Sequence, residues 1–291
     1  MSRRKRILYS VPIALMALAP LPLGAGAAAA SSLTPPGTCK PIVPFDAGNF
    51  ERSTKIDNTY LPLTPGVQLT LEGRSNIDGA TLPHTVVFTI TDLVKKIDGV
   101  YSLVVLDVDI SNGETEEAEL SFWAQDKTGN VWNVGEYPEE YDHGAFVDAT
   151  NTWFSGLRGA VGGIHMLADP SHNTARYLQG YSPTIDFLDC AEVYARDQAV
   201  CVPVQCYTDV LVTDETSPLE DRKAHQRKFH APGIGIVQVS AVNDPEGETL
   251  VLVSRQQLSA SGLTRARDAA LRLERHAYRT NDLYQSTSPM E

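Results

Sequence analysis

A mainly β fold, an antiparallel meander forming a barrel or half-barrel with one C-terminal α-helix, is what the sequence predicts. Three observations predict it. From Val67 onward apolar and polar side chains alternate with a period of two, the signature of a half-covered strand. Asp78-Gly79, Asp98-Gly99 and Asn112-Gly113 punctuate these runs, and such pairs accept the positive φ of tight hairpin turns. Beyond residue 260 the apolar spacing changes to that of a helix.

Taken in order, Val67, Leu69 and Leu71 form the apolar row of a first strand, and Val86, Phe88 and Ile90 that of a second. Val100 to Ile110 is the third. In the fourth, Ala118, Leu120, Phe122 and Ala124 share one face while Glu117, Glu119 and Ser121 share the other. One row hidden and one row wet is the pattern of an antiparallel sheet. Gly129-Asn130 turns the chain into Val131–Val134, completing a meander of about five strands. Gly156 to Asn173, with glycines at 156, 159, 162 and 163, reads as a loop in which the Gly-Gly pair permits backbone angles other residues resist. Thr184 to Val200 fits a helix or a strand. Cys206 to Thr213 returns to strand character. Ser217–Asp221 and Pro232-Gly233 are turns, and Ile234–Val242 pairs with Glu248–Ser254 across Asp244-Pro245-Glu246-Gly247. Leu263, Ala266, Ala270, Leu273, Ala277 and Tyr284 then fall at helical spacing, with Arg265, Arg267, Arg272, Arg275 and Arg279 on the remaining surface. This helix is expected to dock on the sheet, or else to hold a protein partner. Its Ala and Leu stripe is too thin for strong membrane affinity.

The chain begins with a basic Arg3–Arg6 stretch, an apolar run from Ile7 to about Leu23, and small residues with Ala-x-Ala frames ending at Ala27, Ala29 and Ala30. These are the three parts of a secretory signal, interrupted by Pro12, Pro20 and Pro22 where a membrane anchor would stay helical. Ser2-Arg3-Arg4 fits an ordinary basic start and also a twin-arginine one. The expected organisation is a signal over 1–30, an extended lead-in over 31–50, an antiparallel β domain over 51–256 and a helix over 262–285. The expected destination is secreted or periplasmic, with no integral membrane segment in the mature chain. Residues 1–30 hold four basic and no acidic side chains, so their removal takes the formal charge from −12 to −16. Such a surface repels phosphate backbones, which argues against a nucleic-acid partner. Cys39, Cys190, Cys201 and Cys206 all remain, an even count that fits two disulfides in an oxidising compartment. Spacing leaves three connectivities open; Cys39 or Cys190 joined to the Cys201–Cys206 segment is the preferred one.

Ile56-Asp57-Asn58-Thr59-Tyr60-Leu61-Pro62-Leu63-Thr64-Pro65-Gly66 resembles the opening motif of a family of uncharacterised exported bacterial proteins. Trp123–Trp132 with Gly135-Glu136 is similar to that family's central motif. Ser217-Pro218-Leu219-Glu220, Lys228 and Ala231–Gly235 are similar to its last. The resemblance spans residues 50 to 253 and implies export and a β-rich fold, without implying a reaction. The chain departs from the pattern at Gln226, at Phe229-His230 and at Gly162-Gly163.

There is no Gly-x-Ser-x-Gly elbow, no His-Glu-x-x-His and no Gly-rich phosphate loop, which disfavours the common hydrolase and nucleotide-binding classes. Asp107-Val-Asp109-Ile-Ser111-Asn112-Gly113 has the outline of a calcium loop, but its Gly falls one place late and Ala118 stands where a Glu is required. A hairpin turn explains it better, and neither a metal nor another cofactor is predicted. Glu136 ends an apolar strand and heads an acidic run through Glu139, Glu140, Asp142 and His143. It is the leading candidate acid or base, with Asp189, Glu192, His165 or His230 as its partner. His165 and His172 share one segment; His225 and His230, five apart, fall on opposite faces of a strand. Trp132, Tyr141 and Trp153, with Glu136 and Lys228, are the candidates for lining a ligand cavity. The leading functional expectation is an exported domain that binds a small apolar or cationic molecule. The alternatives are an enzyme using a carboxylate/His pair in the barrel, and an envelope-associated interaction protein.

Overall fold

The computed structural model describes residues 39–77, 79–219 and 223–291. The expected signal, most of the lead-in, Asp78 of the first predicted turn and Glu220 and Asp221 of a later one lie outside these residues.

Two short strands come first, β1 (Ile56–Asp57) and β2 (Pro62–Leu63), paired with each other. The predicted meander follows as β3 (Val67–Ile77), β4 (Ala80–Ile97), β5 (Val100–Ser111), β6 (Glu114–Gln125) and β7 (Val131–Asp142), each antiparallel to the one before. Asp98 and Gly99, at φ 48° and 83°, and Asn112 and Gly113, at 50° and 83°, take the positive angles that the hairpin turns demand. Short β8 (Ala145–Asp148) and β9 (Trp153–Phe154) both pair with β7. The second half is β10 (Val161–Met166), β11 (Tyr177–Ser182), β12 (Phe187–Cys201), β13 (Cys206–Thr216), β14 (His225–Ala231), β15 (Gly235–Val242) and β16 (Thr249–Gln257). β16 pairs back onto β3 and β10 pairs with β7, so β3–β7 and β10–β16 close into a 12-stranded antiparallel barrel. Closure removes the exposed edges that an open sheet would present.

The expected loop over 156–173 is corrected: its centre is β10, the strand that seals the seam between the two halves. Its two glycines serve close approach. A Cβ on Gly163 would lie 2.5 Å from the Leu178 carbonyl oxygen, and one on Gly162 would lie 2.9 Å from that of Asn133. Neither residue has a positive φ. The ambiguous Thr184–Val200 segment is resolved as β12. The preferred disulfide pairing is also corrected. Cys201 and Cys206 face each other at the ends of β12 and β13 and bond to one another, while Cys39 bonds to Cys190.

The helix α1 (Ala260–Thr280) starts at Ser259, whose hydroxyl accepts the Gly262 N–H as an N-cap. Its buried residues Ala270, Leu273 and Ala277 belong to one core with Val104, Leu120 and Phe122. The tail after it adds Tyr284, whose ring meets those of Tyr137 and Phe154 at 5.0 and 5.4 Å. Two polar anchors hold this layer. Buried Lys95 lies 3.3 Å from Glu274, and Glu139, 1 % exposed, accepts from Tyr137, Tyr141 and His276. No helix among the described residues is long and apolar enough to cross a membrane.

The layer corrects the expectation of one hidden and one wet row on β6. Leu120 and Phe122 point outward and are covered by α1 and the tail. Glu119 and Ser121, the row expected to be wet, point into the barrel.

Candidate functional site: the barrel lumen

Every one of the twelve barrel strands contributes a side chain or backbone to a single cavity of about 1350 Å³, its open mouth included. The cavity is therefore the lumen itself. Residues 56–63 cross one end. The Asn58 side chain donates to the Gly129 and Leu167 carbonyls at 2.9 and 3.0 Å, and the Gly233 N–H donates to the Thr59 carbonyl at 2.8 Å. Gly129 follows β6 and Gly233 follows β14, on well-separated parts of the ring, so the segment lies across the opening and turns Leu61 and Leu63 into the cavity.

Strand register makes the lumen two-sided. One ladder runs Leu69, Phe88, Asp107, Glu119 across β3 to β6; the next runs Leu71, Val86, Asp109, Glu117. Each passes from two apolar residues to two carboxylates. Ile234, Ile236, Val239 and Leu250 extend the apolar wall through β15 and β16. Glu136, Asp189, Glu215 and Lys228 extend the polar wall through β7, β12, β13 and β14.

The polar wall is crowded with acids. Burial pushes Asp107 up to about 6, partly offset by a bond from the Val108 backbone, and pushes Glu117 up to about 8 with help from Asp107 and Glu140. Burial holds Asp109 and Glu119 well above the usual carboxylate range, and their acidic neighbours add to the effect. Asp189 rises to about 7 through burial, although the Ser217 hydroxyl donates to it. Burial raises Glu136 too, opposed by hydrogen bonds from the Asn133 amide and, at 2.8 Å, the Trp153 indole. Glu215 is the exception. Burial alone would raise it, but Lys228 at 2.8 Å and the Thr213 hydroxyl at 3.0 Å favour its ionised form, and it falls to about 2. Burial lowers His165 to about 4 and His230 to about 3, so both are neutral at pH 7. His84 and the Gln226 amide both engage Glu248, at 3.1 and 2.5 Å.

Glu136, Asp189, His165 and Lys228, four of the sequence candidates, line this cavity. Trp153 stands behind the wall, holding Glu136 and stacked 5.1 Å from Phe187, which does line it. His230 is buried beside Thr213 at 3.3 Å. The structure does not bring the others in. Glu192 pairs with Arg176 at 2.9 Å, Trp132 donates to Asp126 and packs on Phe45 and Phe50, and Tyr141 donates to Glu139 under the helix. His172 is exposed, apart from half-buried His165. Asp107 and Asp109 sit on β5 itself, not in a calcium loop, and no group of three metal-binding side chains occurs among the described residues. Sequence reasoning missed Asp107, Asp109, Glu117 and Glu119 as site residues. The signal was present: the two pairs flank the Asn112-Gly113 turn on the same side-chain row.

No protein-family model matches the chain, and no curated protein matches it. Two solved structures do. One is an exported-protein candidate with a YMCC-like fold from Bacteroides fragilis, at 14 % identity and a TM-score of 0.37. The other is a lipoprotein candidate from Parabacteroides distasonis, at 12 % identity and a TM-score of 0.33. Each alignment covers 68 % of this chain and 99 % of the other. Both likenesses are remote.

Proposed function

We propose that this chain is an exported carrier or receptor whose barrel lumen takes up one small amphipathic molecule. Its apolar body would lie along β3, β4, β15 and β16, and its polar end would meet the acid-rich wall. The observation that carries this reading is the cavity itself, lined from all twelve strands and divided lengthwise into an apolar and a polar side. Ligand sites combine an apolar lining with a few convergent polar groups, as this lumen does. Export is supported by the signal-like start and by two disulfides, which persist in oxidising compartments. Native mass spectrometry of the protein recovered from its secreted or periplasmic fraction tests the reading. A bound mass released on denaturation supports it; a clean apo mass, with no uptake of long-chain amphiphiles, overturns it.

A second reading, acid–base catalysis, has one observation in its favour: Glu136 and Asp189 face the same cavity, and Asp189 sits near 7. Returning the released molecule to fresh protein separates the two. Binding leaves its mass unchanged, whereas catalysis converts it in a way that Asp189→Asn abolishes.

A further inference from the structure

The chemical class of the lumenal ligand can be narrowed, on the premise that the lumen is a binding site. The acid wall presents Asp107, Glu119 and Glu136 on three consecutive strands, with Asp109 and Glu117 paired next to them along the same rows and Asp189 further around the ring. Among the described residues one lumenal ammonium stands against them, Lys228, and Glu215 already holds it at 2.8 Å. The acidic groups thus stand on one side where a ligand would enter, and a cation brought among them favours their ionised forms, enclosed by protein where water screens the attraction least.

Two further atoms are unsatisfied. Oδ1 of Asp107 is buried without a hydrogen-bond partner, and so is the hydroxyl of Thr216, a residue only 3 % exposed; both residues line the cavity. A buried polar atom left unpaired costs free energy, so unpaired atoms in a cavity wall favour a polar partner from outside the chain. A carboxylate oxygen calls for a donor, and a hydroxyl accepts one as readily as it gives one.

We infer that the lumen selects an organic monocation, an alkylammonium or alkylguanidinium. Its charged end is seated against Asp107 and Glu119, and its hydrocarbon part lies along Leu69, Leu71, Val86 and Phe88. The register dictates this orientation. Phe88 is the direct cross-strand partner of Asp107, and Asp107 that of Glu119, so the apolar wall begins one strand from the charged seat. Neighbouring strands lie about 5 Å apart, so a chain of several carbons spans from seat to wall. An anionic amphiphile fits poorly, because its carboxylate would face the same acids with Lys228 already occupied.

The test compares three probes of equal chain length, n-decylammonium, n-decanol and n-decanoate, by isothermal titration calorimetry at pH 7.5 below their micelle concentrations. Decylammonium is expected to bind one per protein, at least about tenfold tighter than decanol, which corresponds to 1.4 kcal/mol. Decanoate is expected to bind weakest. In Asp107→Asn/Glu119→Gln the amine's advantage should fall to near parity with decanol while decanol affinity holds. These amides replace acids whose ionisation burial disfavours, so the variant is expected to fold, with thermal melting as the control. The wild-type series stands even if it does not. Equal binding of all three probes, or an amine preference untouched by the double substitution, overturns the cation assignment and leaves the lumenal site standing. No binding of any probe overturns both.

Discussion

Raising the pH of the ligand-free protein from 6.5 to 8 should destabilise it, because the lumen holds carboxylic acids that the unfolded chain would have ionised. Asp and Glu in an unfolded chain titrate near pH 4, whereas in the barrel Asp189 titrates near 7, Glu117 near 8, and Asp109 and Glu119 well above the usual range. The native state therefore binds more protons than the unfolded state throughout this window. Stability then falls as pH rises through the native values. Other groups act mainly at the limits of this window. His165 and His230, depressed by burial, lose stability on acidification through the unfolded value near 6.5, and between 6.5 and 8 they offset the fall by less than about 1 kcal/mol. Glu215, held near 2, is ionised in both states. Lys95, lowered by burial to about 8, begins to matter only at the upper limit. Each extra native proton changes stability by about 1.4 kcal/mol per pH unit, so Glu117 and Asp189 alone account for roughly 2 kcal/mol between 6.5 and 8. For a chain of this size that is a fall in Tm of about 5 °C. Differential scanning calorimetry at constant ionic strength measures it, and Glu117→Gln should make the slope shallower. A Tm that is flat or rising across this window refutes the picture of protonated acids facing the lumen.

Three further perturbations test the frame around the cavity. Gly163→Ala should cost about 3 kcal/mol, since over-packing against unyielding backbone at the seam forces β10 away from β11; hydrogen exchange should quicken in β10 and β11 before other strands. Lys95→Met should cost about 3 kcal/mol by stranding Glu274 in the core beneath the tail; urea titration should show part of that loss recovered on adding Glu274→Gln. Cys39→Ser/Cys190→Ser opens a 151-residue loop and Cys201→Ser/Cys206→Ser a 5-residue one. Loop entropy predicts losses of about 5 and about 2 kcal/mol respectively, read from denaturant midpoints.

The meander was legible because local signals agreed: alternation assigned the strands and the Asp-Gly and Asn-Gly pairs assigned the turns. β10 was not legible. Val161-Gly-Gly-Ile-His-Met has no alternation, and its glycines answer to backbone packed on both sides, which is a tertiary fact. Alternation also identifies two rows without saying which one faces the lumen. On β6 both rows are enclosed, one by the barrel and one by α1, so acidity read as wetness when it meant the cavity. Glu136 could be picked out because it ends an apolar strand, and Lys228 because it belongs to the resembled motif; His165 and Asp189 were picked by residue type alone, in a segment read as a loop and in one that fits a helix or a strand. Trp132 and Tyr141 misled because aromatic rings serve packing as readily as ligands, here against Phe45 and Phe50 and beneath the helix. Disulfide pairing waited on the register that sets Cys201 opposite Cys206.

A crystal structure of the protein soaked with 10-bromodecylammonium tests the lumenal site most directly, since anomalous scattering fixes the bromine without interpretation. The bromine should lie inside the barrel on the wall formed by Leu69, Leu71, Val86 and Phe88, with the nitrogen within hydrogen-bonding distance of Asp107 or Glu119. A bromine on the outer surface or along α1, with only water in the lumen, would contradict the assignment.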